Sequence, residues 1–249
     1  MTSRPSGVKR GLSRWLWRRR GLTWQLPSGL HARVESLTDW AVYNEIFVDR
    51  AYDEVIELAV TTAPADRPLV VIDLGAHVGY FSLRVAERVR QHANTRATIA
   101  MLEGHPDTFE TLADRWRRQP LDSRTAVRLV RGLAGARSGV APFTSEAFTA
   151  ASHIGDDGGS GTDIPFVDLD TVAPATGPID LLKCDVEGAE GQVIAEYPAL
   201  LSRVQHAAFE FHPRWVDVDT VLGQLAAAGL RQTRVVTATP DGSLRLFAR

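Results

Sequence analysis

The stretch Leu69-Val70-Val71-Ile72-Asp73-Leu74-Gly75-Ala76-His77-Val78-Gly79-Tyr80-Phe81-Ser82-Leu83 constrains this chain more than any other. Four apolar residues in a row read as a buried parallel strand, because such strands are covered on both faces. Asp73 ends the run, and a glycine-bearing turn leads into a helix whose apolar positions Val78, Phe81, Val85 and Val89 recur at helical spacing. Strand, turn and helix in this order make a nucleotide site, since bare backbone and a helix N-terminus accept a ligand at close range. A dinucleotide fingerprint places Gly at the strand end so that a pyrophosphate can approach. Asp73 stands there instead, and its carboxylate favours a cation over a phosphate.

The rest of the chain repeats the alternation of strand and helix that marks a doubly wound α/β sheet. Strands are expected near 69–73, 97–102, 127–131, 179–184 and 205–211, with helices near 78–91, 106–118, 188–197 and 215–228. The final apolar runs, 234–239 and 244–247, flank Pro240-Asp241-Gly242-Ser243. Asp-Gly between two strands signals a hairpin, so the sheet should end in an antiparallel pair. Upstream, residues 21–36 read as a hairpin around Pro27-Ser28-Gly29, and 39–61 as two short helices. The breaker cluster Pro64-Ala65-Asp66-Arg67-Pro68 divides an N-terminal unit, 1–66, from a core domain, 67–249. Between 132 and 165 the periodicity fails, and the polar glycine run 155–161 reads as a loop, either over the site or merely on the surface.

Ligands of open α/β sheets bind beyond the carboxyl ends of the strands. Those ends carry Asp73, Glu103, Arg131, Asp185 with Glu187, and Glu210 with His212. An acid after the second strand is placed to grip a ribose diol, which makes Glu103 its candidate ligand. With Asp73, this points to S-adenosylmethionine, which offers an ammonium, a sulfonium and ribose hydroxyls. The segment 179–190 ends an apolar strand in Asp185 and Glu187, after which Gly188 opens a helix. Glu190 reads as an acid at that helix's N-terminus, worth about 0.3–1 kcal/mol.

Composition excludes several classes. The 249 residues, 44% hydrophobic, suffice for a full α/β core, and no apolar run is long enough to span a bilayer. Cys184 is the lone cysteine, which excludes an intrachain disulfide and a cysteine-based zinc cluster. With no signal-peptide pattern before the fold, a cytoplasmic location is expected. Net charge is −2, yet no acid precedes Glu35, while Arg4, Lys9, Arg10, Arg14, Arg18, Arg19, Arg20 and Arg33 interleave with Trp15, Trp17 and Trp24. Such a segment suits nucleic acid or an anionic surface. The expectation preferred here is a cap on the main domain, or a contact with a second copy in a homo-oligomer.

These motifs resemble the FkbM family of S-adenosylmethionine-dependent methyltransferases. The match runs through residues 71–82, Leu102-Glu103-Gly104-His105-Pro106, Val167-Asp168-Leu169-Asp170, residues 179–190, and Phe209-Glu210-Phe211-His212; 42–52 is similar to the family's entry segment. The resemblance implies a Rossmann-like methyltransferase sheet. It implies a cofactor site of Asp73, Gly75, Ala76, His77, Gly79, Tyr80, Glu103, Gly104, His105 and Arg131. Asp185, Glu187 and His212 would be catalytic, with Glu210 beside them. Two positions depart from the family, where His77 and Arg131 each replace an Asn; the His77 contact thereby becomes titratable. The implied reaction is O-methylation of a small acceptor such as a sugar or polyketide-like natural product. Its hydroxyl would be activated by a carboxylate or His base, or, less favoured, by Mg²⁺ on Asp185, Glu210 and His212. The rival reading is an RNA-modifying enzyme or RNA-binding protein that uses the basic N-terminus.

Overall fold

The computed structural model describes residues 21–144, 153–154 and 162–249. The expectations placed on the basic segment with Trp15 and Trp17, and on the polar run 155–161, lie outside the described residues.

Seven strands form the central sheet. In chain order they are β3 (Leu69–Leu74), β4 (Ala97–Glu103), β5 (Thr125–Arg131), β9 (Ile179–Cys184), β10 (Val204–Phe211), β11 (Arg231–Ala238) and β12 (Ser243–Ala248). Their spatial order is β11-β12-β10-β9-β3-β4-β5. The pairs from β10 to β5 are parallel, and β12 runs antiparallel to both β10 and β11. The Asp-Gly turn thus closes the expected hairpin. The chain winds outward from β3 to β5, then returns to lay β9 against the other side of β3. That reversal opens a crevice beyond the ends of β3 and β9, which is where such sheets bind ligands.

Helices cover both faces, as the buried strands require. On one face lie the hairpin β1–β2 (Leu22–Gln25 and His31–Val34), α1 (Leu37–Tyr43), α2 (Asp53–Thr61), α3 (Tyr80–Gln91) and α4 (Pro106–Arg117). The hairpin and first helices share one core with the sheet, since Leu30, Val34, Ile46, Tyr52 and Ile56 pack with Val71, Phe81 and Val85. Ser36 starts α1 by accepting from the Asp39 N–H, and Pro106 starts α4 behind His105, whose ring accepts from the Thr108 N–H. The opposite face carries α5 (Leu169–Val172), α6 (Glu190–Glu196), α7 (Pro198–Leu201) and α8 (Val218–Ala227) around Leu182, Val193, Tyr197 and Phe209.

Three local differences from the sequence reading have physical causes. The helix expected over 188–197 starts at Glu190 and stops before Pro198, because Pro cannot continue a helix as an interior residue. Between α1 and α2 the chain winds one π-turn, Asn44–Val48, closed by the Asp49 N–H on the Asn44 carbonyl. The aperiodic region contains a small antiparallel sheet of β6 (Val140–Thr144), β7 (His153–Ile154) and β8 (Thr162–Pro165). Pro142 and the shortness of these strands hide their alternation.

The breaker cluster is latched to the sheet by charge. Arg67 donates two hydrogen bonds to Asp180, at 2.6 and 2.7 Å, and the Val70 N–H reaches the same carboxylate at 2.7 Å. Replacing Asp180 with Ala strands a backbone donor and a guanidinium. We expect a loss of about 1.5–3 kcal/mol, the range for hydrogen bonds to charged groups, measured by urea denaturation.

Candidate active site

A cleft of about 260 Å³ opens beyond the ends of β3, β4, β9 and β10. Its floor is set by a pairing that the strand register enforces. Asp73 of β3 and Lys183 of β9 are register partners in adjacent strands, and both are buried. Lys183 Nζ donates to the Gly75 carbonyl at 3.0 Å and pairs with Asp185 at 3.1 Å and Asp73 at 3.6 Å. Ser82 Oγ donates to the other Asp73 oxygen at 2.7 Å. Burial opposes the Lys183 charge, but Asp185 and Asp73 outweigh it and hold its pKa far above the usual range. Asp73 therefore sits beneath the cleft, not on its wall. It meets the cleft lining through Lys183, which bonds the Gly75 carbonyl. The turn itself depends on glycine: Gly75 has φ +72°, and a Cβ there would lie 1.7 Å from the Asp185 carbonyl oxygen.

At the β4 end, Glu103 faces the cleft with each carboxylate oxygen fixed by a backbone N–H, from His77 at 2.8 Å and from His105 at 2.7 Å. Burial lifts its pKa to about 7 despite those bonds. His77 reaches this contact with φ +51°, in the left-handed region. Burial drives its imidazole pKa down to about 4, so the ring stays neutral over the physiological range and does not switch there.

Gly75, Ala76, His77, Tyr80, Glu103 and Gly104 line the cleft. Four other residues expected at the cofactor lie elsewhere. Asp73 is the buried anchor just described, and Gly79 is the left-handed cap of α3 against Trp116. His105 caps α4, and Arg131 points away at the exposed end of β5, where Gly132, Leu133 and Ala134 form the wall instead.

At the β9 and β10 ends the wall is acidic. Asp185, Glu187 and Glu210 line it, and Glu45 joins them from the π-turn. Glu187 has φ +53° and precedes Gly188, a turn that lifts its side chain to the cleft. His212 lies behind it, with Nε2 3.2 Å from Glu187 and Nδ1 3.1 Å from Glu190. Burial disfavours the imidazolium, yet Glu190 and then Glu187 overcome it and raise the His212 pKa to about 9. An imidazole held charged has no lone pair to accept a proton. Burial, then the Asp185 charge, lifts Glu187 to about 8; Asp185, then burial, lifts Glu210 to about 8. The triplet of acids and His brought within 4.8 Å is Asp185, Glu187 and His212, not Asp185, Glu210 and His212. Each His212 nitrogen meets a carboxylate, Nε2 that of Glu187 and Nδ1 that of Glu190.

Sequence reading missed Lys183, Glu45 and Tyr52. The run Lys183-x-Asp185 on one buried strand was a usable signal for the first, since alternate residues share a face.

A sheet with its crevice at the switch point, a glycine turn over a buried ion pair and a carboxylate held by two N–H groups define a nucleotide-cofactor site. The family model for the methyltransferase FkbM domain matches residues 73–231, and the chain belongs to that family. Among solved structures it is similar to the methyltransferase FkbM from Methylobacillus flagellatus at 16% identity and a TM-score of 0.47, over 82% of this chain and 60% of that one. It is also similar to TYW2 of P. horikoshii solved with MeSAdo, at 13% identity and 0.46, covering 91% and 69% of the two chains. A NADB-Rossmann superfamily protein from Streptococcus agalactiae matches at 12% and 0.45, over 79% and 68%. No curated protein matches. No described helix is long and apolar enough to cross a membrane.

The protein is thus an S-adenosylmethionine-dependent methyltransferase, and the cleft's residues suit that cofactor. Five carboxylates on the wall, Glu45, Glu103, Asp185, Glu187 and Glu210, match a ligand carrying a sulfonium and an ammonium. Leu102, Leu133 and Ala134 give apolar surface for a base, and Gly104 keeps backbone bare beside Leu133, which a Cβ would meet at 2.6 Å.

Two outcomes follow. Lys183→Met would leave Asp73 as an uncompensated buried charge, so it should cost about 3–5 kcal/mol by denaturant unfolding, and Asp73→Leu added to it should recover part of that loss. Glu103→Ala should weaken S-adenosylmethionine by about 1.5–3 kcal/mol in calorimetry, the range for hydrogen bonds to a charged group. Since the hydroxyl-accepting form is the carboxylate, wild-type affinity should also fall as pH drops below about 7.

Proposed function

We propose that the protein methylates a hydroxyl oxygen of a small molecule, such as a sugar or a polyketide-like natural product, with Glu187 as the base. The observation that carries this reading is the Glu187 carboxyl itself: it stands on the cleft wall with a pKa near 8. An alcohol must lose its proton as its oxygen takes the methyl. A carboxylate raised to that value is a stronger base than an ordinary one and still ionises near neutral pH.

Bound S-adenosylmethionine supplies the methyl on a sulfonium, whose sulfur keeps the bonding pair and ends neutral. Glu103 would hold the ribose hydroxyls and the 75–77 turn the methionine end. Asp185, neutralised in part by Lys183, would accept a hydrogen bond from the acceptor and aim its oxygen. Glu187 would take the proton. Val42, Ile46 and Tyr52 add apolar surface to a cleft of about 260 Å³, which favours an acceptor of small-molecule size. Fixing oxygen, methyl and sulfur in line can account for about 7–11 kcal/mol of the barrier.

The test is transfer of labelled methyl to a panel of hydroxylated sugars and polyketides, read as the mass gain of one methylene. Glu187→Gln should lower kcat by about 10²–10⁴ with cofactor affinity retained. The base works deprotonated, so wild-type kcat should rise with pH through about 8. EDTA should leave turnover unchanged. Full turnover by Glu187→Gln would remove the base assignment, and methylation of RNA in preference to every small acceptor would overturn the substrate class.

A further inference from the structure

Behind Glu187 lies a chain of charge that methyl transfer alone does not require. Glu190 is fully buried at the start of α6. Its Oε1 accepts from the Val186 and Gly188 N–H groups at 3.1 Å, and its Oε2 from the Gly188 N–H at 3.1 Å. These bonds clamp the turn on which Glu187 sits. The same Oε1 meets His212 Nδ1 at 3.1 Å, and His212 Nε2 meets Glu187 at 3.2 Å. His212 does not line the cleft, whereas Glu187 does. Gly188 is hemmed by the Trp215 ring, which a Cβ there would meet at 2.8 Å, so the turn has no room to relax.

We infer that Glu190 and His212 are positioning residues that act through Glu187: Glu190 fixes both the turn and the imidazolium, and the imidazolium favours the ionised form of the Glu187 carboxyl at the cleft wall. Neither touches substrate. The inference rests on the reading of Glu187 as the base.

The electrostatics make the arrangement necessary. Glu187 faces the negative charges of Asp185 and Glu190 and the positive charges of His212 and Lys183, in a largely buried place. His212 faces Glu190, Glu187 and Asp185, and Glu210 also feels its charge. Burial and two neighbouring carboxylates alone would keep Glu187 protonated, and a protonated carboxyl cannot take a proton. The His212 cation offsets them in part, so that Glu187 ionises near pH 8 rather than higher. Glu190 in turn keeps His212 charged, by a hydrogen bond that a lone surface acid would not hold so firmly. A strained backbone at Glu187 persists only where its surroundings over-determine it, and the Glu190 clamp does so.

The relay is tested without an acceptor, by NMR titration of full-length protein saturated with S-adenosylhomocysteine. Imidazole-¹⁵N labelling reports His212, and carboxyl-¹³C glutamate labelling reports Glu187, assigned by its loss in Glu187→Gln. In His212→Gln the Glu187 titration should move to higher pH by about one unit or more, the size expected for losing a close opposite charge. His212→Lys, which restores a cation, should bring it back toward wild type. In Glu190→Gln the His212 titration should fall by at least about one unit. Retained binding of S-adenosylhomocysteine certifies that each variant is folded, and His212→Gln with His212→Lys decide the matter if Glu190→Gln does not fold. A Glu187 titration unmoved in His212→Gln, or moved equally by Lys and Gln, overturns the inference. Failure of the base assignment itself shows separately, as undiminished turnover by Glu187→Gln.

Discussion

One buried ammonium organises the centre of this molecule. Lys183 lies on a strand whose every residue is buried, and it is tolerated there because register sets Asp73 beside it. Its remaining donors go to the Gly75 carbonyl and Asp185. A single side chain thereby ties the turn after β3 to the exit of β9, the two elements whose divergence opens the cleft. A charge in such a place is expensive unless paired and hydrogen-bonded, and Asp73, Asp185 and the Gly75 carbonyl meet that need. Stability of the floor and shape of the cleft are one property.

The walls follow a second rule. Carboxylates gather at the strand ends, and each of the most crowded ones is compensated differently. Asp185 has Lys183, Glu103 has two backbone donors, and Glu187 has the imidazolium of His212. Among the described residues Glu45 and Glu210 have no ion-pair partner and keep raised pKa values. The cleft is electrostatically incomplete without a cation, which is the charge that S-adenosylmethionine brings.

Much of this was legible in the sequence because buried parallel strands announce themselves as continuous apolar runs. Strands β3, β4, β9 and β10 lie within one residue of their expected bounds and the closing hairpin within three, and the parallel strands' carboxyl ends hold the acids read from them. What was not legible is which way a side chain at a strand end turns. Asp73 and Glu103 look alike in one dimension, yet one points into the sheet toward Lys183 and the other into the cleft. The ion pairing of His212 was hidden because its two carboxylate partners are distant in sequence, 22 and 25 residues away for Glu190 and Glu187. The strands Val140–Thr144 and Thr162–Pro165 escaped notice because Pro142 interrupts an already short pattern. Glu45 was invisible for a different reason, since a π-turn is a fault in the very periodicity by which helices are found.

That fault has a consequence for how such a protein can diverge. A π-turn is an α-helix carrying one surplus residue, and each residue of a helix turns its neighbours by about 100°. Glu45 lies before the span shared with the FkbM family, on a segment that belongs to no strand of the sheet. Loss of a single codon between Asn44 and Val48 would rewind the turn and swing Glu45 off the cleft wall, with every strand register left intact. This part of the cleft wall can therefore be rewritten by an in-frame deletion that spares the sheet beneath it.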